Sequence, residues 1–147
     1  MESQVIRTLT EEETIAFGRR LGPTLSGVVL LIGNLGAGKT TLTKGIVEGR
    51  GKTSAEEVSS PTFTLIHQYG DSDPIYHIDL YRLDELRQVE TLGLDEIFSS
   101  GSLVLLEWAE RFPALLPPQR AEVRITALED ESRRIVITYS QGLCIGR

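Results

Sequence analysis

Gly33-Asn34-Leu35-Gly36-Ala37-Gly38-Lys39-Thr40 matches the phosphate-binding pattern G-x-x-x-x-G-K-[ST] at every fixed position. A chain of this length would match it by chance roughly one time in a hundred or less. Val28-Val29-Leu30-Leu31-Ile32 precedes it, an apolar, β-branched-rich run that reads as a buried parallel strand. Thr41-Leu42-Thr43-Lys44-Gly45-Ile46-Val47-Glu48 follows and can continue as a helix. A strand, a glycine loop and a helix in that order are the context the pattern requires. The glycines let the backbone approach a ligand closely, so the N–H groups from Gly33 through Leu35, Gly36, Ala37 and Gly38 to Lys39, Thr40 and Thr41 can turn toward an anion. The helix start adds a partial positive charge. Lys39 is expected at the β- and γ-phosphates, and the Thr40 hydroxyl on Mg²⁺.

Outward from the loop, the chain alternates strands and helices. Val5-Ile6-Arg7-Thr8-Leu9 reads as a strand. Thr10-Glu11-Glu12-Glu13 reads as a capping box opening a helix, with Phe17, Leu21 and Leu25 on one face until Gly22-Pro23 ends or distorts it. Gly49-Arg50-Gly51 closes the second helix. Ser60 to Tyr69 turns into a strand. Ile75 to Tyr81 is its hairpin partner across the turn residues Gly70-Asp71-Ser72-Asp73-Pro74. Two short helices follow, the first capped by Asp84. Leu103-Val104-Leu105-Leu106 is a second buried strand, ending at Glu107-Trp108. Ala121–Thr126 and Arg134–Thr138 form a terminal hairpin. The expected fold is α/β: a mixed sheet with a parallel centre, helices on its faces and antiparallel hairpins at its margins. Neither a repeat nor a linker divides residues 1–147, so one domain is expected, with 141–147 as a loose tail.

Composition narrows the function. A net charge of −6 and a pI near 5.0 argue against a protein that grips a nucleic-acid backbone by itself. The single cysteine, Cys144, offers no internal disulfide or metal cluster. Met1-Glu2-Ser3-Gln4 shows no targeting pattern, and the longest apolar run is too short for a membrane span, so the expected location is the cytoplasm.

A phosphoryl-transfer site also needs acids. Glu107 ends an apolar strand, where a magnesium ligand commonly sits; the alternative is an ordinary surface carboxylate. Asp79 is a second candidate, or a hairpin residue facing water. Thr62, after Pro61 in a polar loop, fits a γ-phosphate sensor or a solvated threonine. Trp108 reads slightly better as a buried anchor than as a site residue. His77 reads as a hydrogen-bonding neighbour of Asp79.

Four blocks together, Gly33–Thr40, Ser60-Pro61-Thr62-Phe63-Thr64-Leu65, His77-Ile78-Asp79-Leu80-Tyr81-Arg82 and Leu105-Leu106-Glu107-Trp108, resemble the bacterial TsaE (YjeE) family in order and spacing. That resemblance implies a small P-loop NTPase fold and an ATPase acting in the formation of threonylcarbamoyladenosine beside the tRNA anticodon. It implies TsaB and TsaD as partners, ATP and Mg²⁺ as ligands, and tRNA contact made through the complex. By the same resemblance Thr40 and Glu107 bind Mg²⁺, and Asp79 is needed for hydrolysis, as a further ligand or by orienting water. Thr62 then lies in a switch-like loop, and Glu12 or Thr14, and Glu110, touch nucleotide. The competing readings are a small-molecule kinase, against which Arg87 stands as the one arginine of residues 84–100, and a non-catalytic ATP-gated binding module.

Overall fold

The computed structural model describes residues 2–34, 36–59 and 65–139. Its elements are β1 (Glu2–Thr8), α1 (Glu11–Leu21), β2 (Val28–Ile32), α2 (Lys39–Gly49), β3 (Ile66–Tyr69), β4 (Ile75–Asp79), α3 (Leu86–Glu90), α4 (Leu94–Ser99), β5 (Leu103–Glu107), β6 (Ala121–Ala127) and β7 (Arg133–Tyr139). Among the described residues seven strands form one sheet in the order β1-β7-β6-β2-β5-β4-β3.

The parallel centre is wider than the two apolar runs suggest. β6, β2, β5 and β4 all run parallel; outside them β7 and β3 pair antiparallel with β6 and β4, and β1 pairs antiparallel with β7. The inner strand of each expected hairpin therefore docks on the parallel block. Docking also explains why Asp79 does not face water: β4 is covered on both sides.

Alternation along the central strands splits the core in two. Val29, Leu31, Leu105 and Val123 pack under Phe17, Leu21, Leu42 and Ile46 of α1 and α2. Val28, Leu30, Ile78, Val104 and Leu106 pack against Val89, Leu94 and Phe112 on the opposite face. Burial of aliphatic side chains at about 25 cal/mol per Å² holds both layers to the sheet. Among the described residues no helix is long and apolar enough to cross a membrane.

Local signals set the boundaries of α1. The Thr10 hydroxyl accepts from Glu13 N–H at 3.1 Å, while Glu13 reaches back to Leu9 N–H at 3.0 Å, one residue before the cap. The helix ends at Leu21. Leu25 is buried as expected, but in extended backbone after a short 3-10 turn at Gly22–Thr24. α1 lies directly against α2, with glycines at the contact. A Cβ on Gly45 would sit 2.1 Å from the Ile15 carbonyl oxygen, and one on Gly18 2.6 Å from that of Leu42. That approach fixes the start of α1 relative to the start of α2. α3 is capped by Glu85, not Asp84, through reciprocal bonds with Gln88.

Candidate functional site

β2 delivers the chain into the glycine loop at Gly33, and α2 leaves it at Lys39. Gly38 carries φ +113°, a conformation that L side chains rarely adopt, and forms the cap of α2. A Cβ on Gly33 would meet the Ile125 carbonyl oxygen at 2.7 Å, so the loop is pressed against β6. Ala37 N–H closes onto Asn34 O at 3.0 Å. The first amides of α2 therefore open, with the positive end of its dipole, onto the space above the loop. Leu35 lies outside the described residues.

A cleft of about 320 Å³ occupies that space, walled by Lys39, Thr40, Asp79, Glu107, Trp108 and Arg133. Register explains how the two acids meet. β4 and β5 run parallel with Asp79 paired to Glu107, so the C-terminal ends of both strands present a carboxylate beside the start of α2. Asp79 is 2% exposed and Glu107 3%. Asp79 Oδ1 accepts the Tyr81 N–H at 2.8 Å, which fixes its carboxylate. Glu107 Oε1 lies 3.7 Å from Lys39 Nζ. Lys39, 6% exposed, donates to its own loop at Gly33 O (2.8 Å), and its Nζ lies 4.1 Å from the centre of the Trp108 ring. The ammonium is thus held by a carbonyl, a carboxylate and an aromatic face.

Several sequence readings change here. Trp108 is not a buried anchor. It is half-buried, in the left-handed region at φ +65°, with its ring 5.0 Å from that of Tyr81 and its face toward Lys39. His77 partners Glu107 and not Asp79: its Nε2 lies 2.5 Å from Glu107 Oε2. Thr14 lines a small cleft with Thr10, Glu11, Gly38, Thr41 and Arg133, but its hydroxyl is engaged by Thr8 at 2.6 Å. Glu12 is exposed and does not line that cleft; Glu11 does. Glu110 lines a neighbouring cleft of about 450 Å³, walled also by Gly33, Asn34, Gly36 and Ala37 of the loop and by Trp108. Thr62 lies outside the described residues.

Two arginines escaped the sequence reading. Arg133, at the start of β7, brings its Nε within 3.3 Å of where a Gly38 Cβ would be, and borders both the main and the small cleft. Nothing local marks it, because the contact depends on how the β6–β7 hairpin lies against the loop. Arg111 Nη2 donates to the carbonyls of Leu80 (2.5 Å), Tyr81 (2.9 Å) and Leu83 (2.8 Å). It pins the segment leaving Asp79 to the turn after Trp108. On the outer strand, burial first and His77 second hold the His67 pKa below its ordinary value.

The donor set fits a hard cation and a polyphosphate. Thr40, Asp79 and Glu107 offer only oxygen, and Lys39 with the loop amides offers positive charge. Among the described residues no three His, Cys, Asp or Glu side chains form a metal cage. A Mg²⁺ ion here would complete its shell with phosphate oxygens and water, as it usually does.

The model of the family described as "Threonylcarbamoyl adenosine biosynthesis protein TsaE" matches residues 8–135. The chain is similar to the tRNA threonylcarbamoyladenosine biosynthesis protein TsaE of Bacillus subtilis (strain 168), 42% identical over 135 residues, which is 90% of this chain and 83% of that one. It is similar to the TsaE protein of Rickettsia bellii (strain RML369-C), 39% identical over 142 residues, 94% and 96% of the two chains. Its fold superposes on a crystal structure of YdiB from Bacillus subtilis with a TM-score of 0.77 at 35% identity, covering 95% of this chain and 86% of that one. Matched along nearly its whole described length, the chain belongs to the TsaE family of threonylcarbamoyladenosine biosynthesis proteins.

Proposed function

We propose that this chain has a P-loop NTPase fold and is a magnesium-dependent ATPase. It works in the cytoplasm with TsaB and TsaD homologues to support turnover of the complex that threonylcarbamoylates tRNA. One observation carries the ATPase reading. Strand register sets Asp79 beside Glu107, and both line one cleft with Lys39 at the mouth of a glycine loop that opens onto a helix N-terminus.

Each residue has a physical task. The loop amides and Lys39 hold the phosphate chain by charge-assisted hydrogen bonds. Thr40 and Glu107 hold Mg²⁺, which when bound neutralises charge on the transferring phosphoryl group. Asp79, fixed by the Tyr81 N–H, is the acid placed to bind or orient water. Arg133 adds a second cation beside Gly38. The surface supports reliance on partners for tRNA: with a net charge of −6 the chain has no overall excess of cations to grip a phosphate backbone.

The test is phosphate release from ATP by the purified chain, alone and with its TsaB and TsaD homologues, each against Lys39→Ala. Release that depends on Lys39 and rises with the partners is the expected result. ATP binding without release in either setting would make the chain a nucleotide-gated module, and phosphate transfer to a nucleoside or small alcohol would make it a kinase.

A further inference from the structure

Glu107 is gripped from behind by a residue that the proposed chemistry leaves unused. His77 is fully buried, and its Nε2 lies 2.5 Å from Glu107 Oε2. A carboxylate can only accept, so Nε2 carries the hydrogen. The other ring nitrogen, Nδ1, is buried with no hydrogen-bond partner among the described residues. A core position selected for packing alone would not hold half an unsatisfied imidazole on the sheet face that carries Ile75 and Leu105.

We propose that His77 is a positioning residue for the magnesium–nucleotide site: it commits one oxygen of Glu107 inward and leaves the other presented to the cleft. The inference rests on the proposed function, in which Glu107 is a magnesium ligand. The two oxygens already have separate surroundings, Oε2 on His77 and Oε1 toward Lys39 at 3.7 Å. Register makes the grip possible. His77 pairs with Leu105, two residues before Glu107, and reaches forward along the parallel ladder to the strand end. Without that grip Glu107 is free to turn about its side-chain torsions toward the Lys39 ammonium. Closing further on the ammonium already 3.7 Å from Oε1 would turn that oxygen away from the metal position, while Lys39 keeps its bond to Gly33 O at 2.8 Å. Partners that hold a ligating carboxylate are typically worth 10- to 100-fold in metal affinity.

The experiment titrates Mg²⁺ at fixed ADP, and ADP alone in EDTA, reading the emission of the single tryptophan, Trp108, whose ring faces Lys39. His77→Gln and His77→Asn carry the same amide, but only glutamine has the reach to donate to Glu107. His77→Asn is expected to raise the half-saturating Mg²⁺ concentration roughly 10- to 100-fold. Metal-free ADP affinity should stay within about twofold, and His77→Gln should recover most of the loss. Equal Mg²⁺ titrations for the two variants overturn the proposal. If wild-type nucleotide binding ignores Mg²⁺, the magnesium reading of the site itself is overturned, and this inference with it. Should His77→Asn fail to fold while His77→Gln folds, a Gln titration shifted as far as that of Glu107→Gln overturns the proposal, and one close to wild type supports it.

Discussion

Gly45→Ala separates two accounts of the α1–α2 pair by the sign of its effect. In an isolated helix the change would stabilise α2 by about 1 kcal/mol, because alanine loses less backbone entropy. Here the new methyl would lie 2.1 Å from Ile15 O, 2.9 Å from Gly18 Cα and 3.0 Å from Arg19 N. All three are backbone atoms of α1, so no side chain can swing away. Restoring an ordinary carbon–oxygen contact requires α1 to move by about 1.3 Å. Overpacking of this kind costs about 3 kcal/mol at the upper end of the usual range. Net of helix propensity, the loss is about 2 kcal/mol, or roughly 4–8 °C in Tm for a domain of this size. The displaced first turn of α1 carries Thr10, Glu11 and Thr14, which line the small cleft beside Gly38 and Thr41, so nucleotide affinity should fall as well. Thermal unfolding followed by circular dichroism and a nucleotide titration of the folded variant are the assays. Gly18→Ala should behave alike, and the double variant should lose less than the sum because both changes force the same shift. A rise in Tm for Gly45→Ala would refute the close approach of the helices.

Four further outcomes are expected. Lys39→Ala should weaken ATP binding roughly 10- to 100-fold by removing a charge-assisted donor; wild-type phosphate release in that variant would contradict the site. Glu107→Gln should reduce nucleotide affinity with Mg²⁺ present more than with EDTA, and equal losses would remove its metal role. Arg133→Ala should cost about 1–2 kcal/mol of nucleotide binding with little change in Tm; unchanged affinity by calorimetry would place the guanidinium outside the site. For His67, burial lowers the folded-state pKa below the ordinary 6.5. Its contribution to stability is then present above the unfolded pKa and is lost as pH falls through about 6.5 toward the folded value. Acid titration of stability should be shallower in His67→Gln, and superimposable curves would remove that role.

The glycine loop was legible in the sequence because its information is local. Spacing, a preceding apolar run and a following helix all fall between Val28 and Glu48, and β2 and α2 appear where that reading puts them. Glu107 was legible for a related reason, since it ends an apolar run whose direction is set by the parallel centre. Asp79 needed more. Alternation within a hairpin leaves open whether a residue faces water. Only the docking of β4 along β5 buries it beside Glu107. The wider parallel block, with β6 on one side of β2 and β4 beyond β5, depends on crossovers that no short window contains.

The misplaced residues share a cause. His77 reads as a partner of Asp79 because the two lie on one face of one strand, but a side chain of that length reaches along the neighbouring strand as readily as along its own. Its partner is set by the register of β4 on β5, and that register brings Glu107 within hydrogen-bonding distance. Trp108 reads as an anchor if the strand continues, since a large apolar residue after Leu105-Leu106 would go to the core. The backbone instead turns left-handed at φ +65°, lifting the ring out of the apolar layer and over Lys39. A bulky residue in that region is strained, and such strain persists where the surroundings over-determine it. Arg111, fastening Leu80, Tyr81 and Leu83, and Tyr81, packed on the Trp108 ring, are those surroundings. The arginine that restrains the exit from Asp79 therefore also restrains the aromatic face on Lys39, so the acid and the cation of the site are held by one clamp.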